Sequence, residues 1–575
     1  MKLRHRLVAA FAGLALPFAT LSPAAAQQKQ LLEYPSVHQP VVGMHGMVVS
    51  QNEIASRVGA QVIRDGGNAV DAAVAMAFVM AVTLPRAGNI GGDGFMTLYD
   101  AKSGKTVTID FRGTAPLGVT PDMFVSGEGK ELKSASFGYR APDVPGTVAG
   151  LELAHRKYGR LPWAKLVQPA IDLAENGVAL SPDEAFVFSW GKERLSASEA
   201  GKRTFYKPDG SLYRAGELLR QPDLAWSLRQ IQAGGADAFY KGAIAERIAA
   251  DMAKHGGLIT RKDLAGYRAV ERQPLEGSYR GVTIRTAPPA SAGGAALLEI
   301  LNILENFDLK GMKAGSGQSL HTLSEAMKLG YADRYRFLGD TDFVHVPLAG
   351  FTSKAFAAER AKLISLDKAN DTRDLPKGDP WKFESPNTTH FSVADAEGNV
   401  VSMTYTLGAD FGSGVMVEGT GILLNNQMNN FSHEEAWRAR RDGRPEPLNA
   451  MAPGKRMLST MVPTILFKQG KPWLVVGTPG GSTIIDTVAQ VIVDVIDYDL
   501  NIGEATHQPR IFQNSTNTLE VEPNFNPDTV AILKAMGHRI EVGQTMGSAQ
   551  SIMIENGLYL GAADPRRPGA LAVAP

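Results

Sequence analysis

The chain has no cysteine among its 575 residues, which excludes disulfides, a thiolate nucleophile and cysteine-based metal sites. Neither charge is in excess: Lys and Arg number 59, Asp and Glu 59, for a formal net charge of zero. Nothing therefore pulls the chain in bulk toward nucleic acid or an anionic membrane, and there is no basic arm or aromatic stacking platform. No G-x-S-x-G elbow occurs, which argues against a serine hydrolase of that kind. The 11 histidines show no paired ligand spacing. We expect no metal and no other cofactor. After the first 26 residues, no run reaches bilayer-spanning length without charge.

What is present reads as an ordinary globular enzyme-sized chain, 44% hydrophobic and 21% charged. Lys2, Arg4 and Arg6 precede an apolar run from Leu7 to Leu21, and Ala24–Ala26 offers a small-residue cleavage site. Residues 1–26 are expected to be a secretory signal peptide, which places the mature protein in the periplasm or outside the cell. A strand at Met47–Ser50, a helix ending near Asp65 and a second helix at Ala69–Leu84 follow. The second is almost wholly Ala, Val and Met, the mark of a helix buried between layers. A hairpin is expected over Met96–Tyr99 and Thr106–Phe111, closed by Arg112; an arginine there can hold a carboxylate through two parallel hydrogen bonds. Residues Pro142 to about Tyr279 read as helical scaffold. Further helices begin near Ala295 and His321, the latter histidine being structural. Between Ser365 and Ser385 the chain is charged and Pro-rich, a suitable place for a cleavage junction.

The chemistry concentrates in Asn387–Asn430, NTTHFSVADAEGNVVSMTYTLGADFGSGVMVEGTGILLNNQMNN. Three consecutive polar residues, Thr388, Thr389 and His390, open it; strands at Phe391–Ala394 and Val400–Leu407 follow across a Glu-Gly-Asn turn. An apolar strand at Ile422–Leu424 leads to Asn425, Asn426, Gln427, Asn429 and Asn430, which read as a polar recognition surface more than a packed core. Downstream, Ser432–Leu458 is polar and Pro-containing. Thr478-Pro479-Gly480-Gly481-Ser482 joins a strand to a helix, and two N–H groups in a Gly-Gly turn make a natural oxyanion hole.

The TTH-x-S-V start, T-Y-T at Thr404–Thr406, GILLNNQM at Gly421–Met428 and MGSAQSI at Met546–Ile552 together resemble the γ-glutamyltranspeptidases, also called glutathione hydrolases. These are N-terminal-nucleophile hydrolases. The resemblance runs from about Gly46 to Arg567 and implies a four-layer αββα sandwich, an α+β fold assembled from two chains after autocleavage. The cut would fall between Asn387 and Thr388, giving a large subunit of residues 27–387 and a small, catalytic one of residues 388–575 that stay together as a heterodimer. The freed Thr388 would supply its hydroxyl as nucleophile and its own amine as base, with Thr406 orienting it. The resemblance places the oxyanion hole on Gly480 and Gly481 and the α-carboxylate clamp on Arg112, Ser459 and Thr460. It also makes Gln427 and Asn430 substrate-binding and Ser432–Leu458 a lid. The implied partners are a small γ-glutamyl donor such as glutathione, with water or an amino acid or peptide as acceptor; no nucleic acid or membrane span is implied.

Two departures bear on substrate. The acid that faces the donor ammonium in typical members is an amide here, Asn429 or Asn430, and the Asn usual two residues after Thr406 is Gly408. A glutaryl or cephalosporin acylase of the same fold is the alternative, and an uncleaved, non-catalytic secreted binding protein is the reading from another class.

Overall fold

The computed structural model describes residues 36–372, 387–523 and 525–575, so the expected signal peptide and most of the 365–385 segment lie outside the described residues. The architecture below is that of His38–Pro575.

Alternation of apolar and polar residues builds two seven-stranded sheets. In spatial order the first runs Leu571–Val573, Gly46–Ser50, Asn387–Asp395, Val400–Gly408, Asp93–Asp100, Lys105–Asp110 and Val270–Arg272. The second runs Val41–Gly43, Leu558–Ala563, Gln550–Glu555, Lys471–Val476, Thr464–Lys468, Val282–Thr286 and Leu275–Tyr279. Every neighbouring pair in both is antiparallel.

Three apolar layers show how the sheets stack. Met47, Val49, Ala394, Val400, Ile465, Phe467, Val475 and Ile552 form a core with contributions from both sheets, so the sheets pack face to face. On the other side of the first sheet, Val48, Phe391, Val393, Val401 and Met403 pack with the helices Ala69–Thr83, Thr147–Tyr158, Trp163–Asn176 and Pro222–Tyr240. The outer face of the second sheet packs Ile284, Leu466 and Leu474 against Ala292–Leu304, Gly317–Phe337 and Ile484–Ile496. The fold is the expected αββα sandwich. Every residue of Ala69–Thr83 is buried, as its all-round apolar sequence requires, and Asn68 and Asp71 close its first turn in a reciprocal capping box.

Two local readings change. Ile422–Leu424 is not a strand; Leu423 makes an isolated bridge to Met416. The amide cluster is interior: Asn425, Asn426, Gln427 and Asn429 are all buried. Asn425 donates to Gly91 O (3.1 Å) and Asn426 to Ser136 O (3.1 Å). Amides tolerate burial when the backbone satisfies them, and these pin an irregular segment that has no sheet of its own.

Candidate active site

The strand carrying the candidate nucleophile is central in its sheet. Asn387 pairs with Gly408 and Thr389 with Tyr405, with a bulge between, so Thr388 stands opposite the Thr406–Leu407 step. Thr406 pairs in turn with Asp93 on the next strand. Bulges next to active sites re-aim a residue or end the pairing, and this one falls at the expected cleavage point. The side chains of Asn387 and Thr388 lie outside the description. Thr406 Oγ1 accepts from Gly408 N (2.8 Å).

His390 fixes this strand to the second sheet. Its Nδ1 meets Thr404 Oγ1 at 2.8 Å and its Nε2 meets Ser392 Oγ at 3.2 Å, while Ser392 Oγ donates to Gln550 O (2.8 Å). The ring lies flat on Gly477, where a Cβ would come within 2.3 Å of it. Burial pushes His390 down to about 3, so the ring stays neutral.

Gly477 opens the oxyanion-candidate loop. Gly480 has φ 136° and Gly481 φ 57°, and a Cβ on Gly480 would lie 2.4 Å from Thr483 Oγ1. Only glycine suits both positions. Thr460 Oγ1 donates to Gly481 O (2.8 Å), so this hydroxyl holds the loop, whereas the family resemblance implies a place in a carboxylate clamp. Ser459 Oγ accepts from Met461 N (3.0 Å), which leaves its O–H to donate. Ser459 N donates to Ala290 O (3.2 Å), tying the site to the loop before Ala292–Leu304.

Arg112 is buried, and its clamp face already holds a carboxylate from this chain. Nη1 donates to both oxygens of Asp93 (2.7 and 2.9 Å), Nε to Met457 O (3.2 Å) and Nη2 to Leu458 O (3.1 Å). Gly113 N also donates to Asp93 (3.0 Å). Gln427 Nε2 approaches Asp93 Oδ1 at 3.5 Å, and Asn430 Nδ2 donates to Gln427 Oε1 at 2.7 Å. The structure thus joins Arg112, Gln427 and Asn430 through an acid absent from the sequence expectation. A second acid, Asp143, is fully buried beside it. Burial, then the charge of Asp93, pushes Asp143 well above the usual carboxylate range. Burial raises Asp93 too, but there the Arg112 charge and the Gly113 N–H oppose the rise, so Asp143 is the member of the pair that holds the proton and Asp93 remains the partner of Arg112. Gly408 is required where it stands: its φ is 94°, and a Cβ would fall 2.1 Å from Asn426 Oδ1, which itself accepts from Ala409 N (2.8 Å).

Residues 432–458 cover Arg112 from one side. His433–Arg441 is a helix with Ala436 and Ala439 buried. Met451 and Met457 pack with Met428 and Phe431, and Asn449 links Asn430 O (2.7 Å) to Leu458 N (3.0 Å).

A model of the γ-glutamyltranspeptidase family matches residues 55–574. The chain belongs to that family. It is 46% identical to a glutathione hydrolase proenzyme of Escherichia coli strain K12 over 92% of both chains. It is 38% identical to the acylase ACY 1 proenzyme of Pseudomonas sp. strain SE83 over 87% of this chain and 88% of that one. Among solved structures, a cephalosporin acylase from Bacillus halodurans superposes with a TM-score of 0.83 at 30% identity, covering 95% of this chain and 98% of the other. As a γ-glutamyltranspeptidase-family chain, it places its Asp93 in a row with Thr406, a feature the hairpin register could have revealed. Extending the Phe95–Asp110 pair by two residues on each strand sets Asp93 opposite Arg112.

One cluster lies away from this site. His321, Glu325 and His538 bring ligand atoms within 4.8 Å of one another, a grouping invisible in the sequence spacing. His321 Nδ1 meets His538 Nε2 and His321 Nε2 meets Ser365 O, each at 2.7 Å. Glu325 accepts from Lys328 Nζ (2.6 Å) and Asn370 Nδ2 (2.7 Å). Hydrogen bonds occupy the atoms a cation would need, and the cluster anchors the chain just before residue 372.

Proposed function

We propose that this protein is a self-cleaving γ-glutamyltransferase and glutathione hydrolase. Cleavage of the Asn387–Thr388 peptide bond frees the amino group of Thr388. Thr388 Oγ then attacks the γ-amide carbonyl of the donor while that amino group takes the hydroxyl proton. The N–H groups of Gly480 and Gly481 hold the developing oxyanion. The tetrahedral intermediate expels the amine, which leaves with the proton, and a γ-glutamyl ester remains on Thr388. Water or an amine acceptor attacks that ester and regenerates the hydroxyl. Arg112 and Ser459 bind the donor carboxylate, and Thr460 steadies the loop that carries Gly480 and Gly481. Removal of residues 1–26 on export delivers the enzyme to the periplasm or beyond.

The observation that carries this reading is the placement of Thr388 at a bulged strand start, beside Thr406 and at the level of the charged Arg112 group. The relatives named as proenzymes support the cleavage. A second reading, hydrolysis of glutaryl-type amides, is favoured by Asn430 in place of an acid and by the acylase relatives. Thr388→Ala decides whether the chain is an enzyme of this kind: the variant is expected to run as one full-length band without amidase activity, where the wild type gives two bands. Normal processing of the variant would remove Thr388 from its role, and an unprocessed wild type would favour a non-catalytic binding protein.

A further inference from the structure

Three strands set a distance. Thr388, Thr406 and Asp93 occupy successive strands at one level of the first sheet, so Asp93 lies two strand spacings, about 10 Å, from the nucleophile's backbone. From its reacting carbon to its α-nitrogen a γ-glutamyl group spans about 5 Å, and a hydrogen bond adds about 3 Å. Allowing for the side chains at both ends, the α-substituents of a bound donor arrive at Arg112 and Asp93. Residue 430, where typical family members carry an acid for the ammonium, is Asn, and its amide is spent on Gln427 (2.7 Å).

We propose that Asp93, with Asp143 behind it, is the acceptor for the donor's α-ammonium, while Arg112 takes the α-carboxylate. The anionic half of amino-acid recognition would then reside on the large subunit. This rests on the γ-glutamyl reading above and selects within it.

Charge decides the preference. Arg112 and ionised Asp93 cancel, and Asp143 is neutral, so the buried group has no net charge. A zwitterionic γ-glutamyl donor adds none: its carboxylate pairs with Arg112 as its ammonium pairs with Asp93, and two ion pairs become a ring of four charges. A glutaryl donor brings a carboxylate alone and leaves the interior one negative charge in excess, which is costly without a partner. Asp143, neutral and hydrogen-bonded beside Asp93, backs the acceptor, and its backbone N–H donates to Asn425 Oδ1 at 3.0 Å.

The test compares kcat/KM for matched γ-glutamyl and glutaryl anilides, which differ only in the α-amino group. The processed wild-type heterodimer is expected to prefer the γ-glutamyl compound, and Asp93→Asn to reduce that preference about 10-fold or more, since a charged hydrogen bond becomes a neutral one. An unchanged ratio in Asp93→Asn, or a wild type that turns over both amides equally, overturns the assignment. If Asp93→Asn leaves Arg112 unpaired and does not fold, Asp93→Glu carries the test because Arg112 keeps a charged partner while the acceptor is displaced by one methylene. A reduction of about 3-fold or more is expected there, and an unchanged ratio overturns the assignment equally. A processed wild type that hydrolyses neither amide would bring down the γ-glutamyl reading itself, and this assignment with it.

Discussion

His390 sits two residues from the candidate nucleophile, yet it cannot trade protons near neutral pH. Burial holds it at about 3, against an unperturbed value near 6.5. Between those values the unfolded chain binds a proton that the folded one refuses. Its contribution to stability is therefore complete above about pH 6.5 and is lost as pH falls through the window. At pH 5 the loss amounts to about 2 kcal/mol. His390→Gln, even if less stable at pH 7, should lose about that much less than the wild type between pH 7 and 5 in denaturant titrations; parallel losses would refute the assignment. The sequence shows His390 only as the third of three consecutive polar residues beside the candidate nucleophile, and it is the packing against Gly477 that reveals a strut. Asp93 was harder to see. It stands among glycines in GNIGGDGF, where flexible turn chemistry is the natural reading, and its partner Arg112 is brought to it by the register of the intervening hairpin.

At the scale of elements, two side chains hold the Gly480–Gly481 loop: Thr483 Oγ1 donates to Gly480 O (3.0 Å) and Thr460 Oγ1 to Gly481 O (2.8 Å). Thr460→Val keeps the shape and removes that bond. The expected result is a kcat lowered about 10-fold with KM nearly unchanged, less than the loss from deleting an oxyanion donor outright. A rise in KM at constant kcat would return Thr460 to the carboxylate clamp. The helices and strands around the loop were legible because periodicity and capping agree with burial; Ala69–Thr83 is the plainest case. The segment from Ile422 to Asn430 was not, because its order comes from amide bonds to Gly91, Ser136 and Asp93, partners hundreds of residues away in sequence. Residues 432–458 likewise read as polar from composition, while Met451 and Met457 seat them in the interior.

At the scale of the molecule, cleavage before Thr388 would produce two pieces that interleave. Both sheets take strands from both sides of the cut: Gly46–Ser50 lies between Leu571–Val573 and Asn387–Asp395, and Thr464–Lys468 pairs with Val282–Thr286. Neither piece contains a whole sheet. The mature protein should therefore migrate as one species on a sizing column and as two on a denaturing gel, and its pieces should part only in the transition that unfolds both. Release of one folded piece at lower denaturant would contradict this. The layered fold was legible only through the family resemblance, since local patterns announce strands but not which sheet each one joins.

The row of Thr388, Thr406 and Asp93 has a consequence for chain length. The gap between the candidate nucleophile and the charged group is set by main-chain ladders, which no side-chain substitution can stretch or shorten. Replacing Asp93, Asp143 or Asn430 can alter which charges a donor must carry. It cannot alter how many carbons separate those charges from the scissile amide. An acyl group one methylene shorter would reach either the nucleophile or the charged group but not both, so changing that number calls for a new strand register.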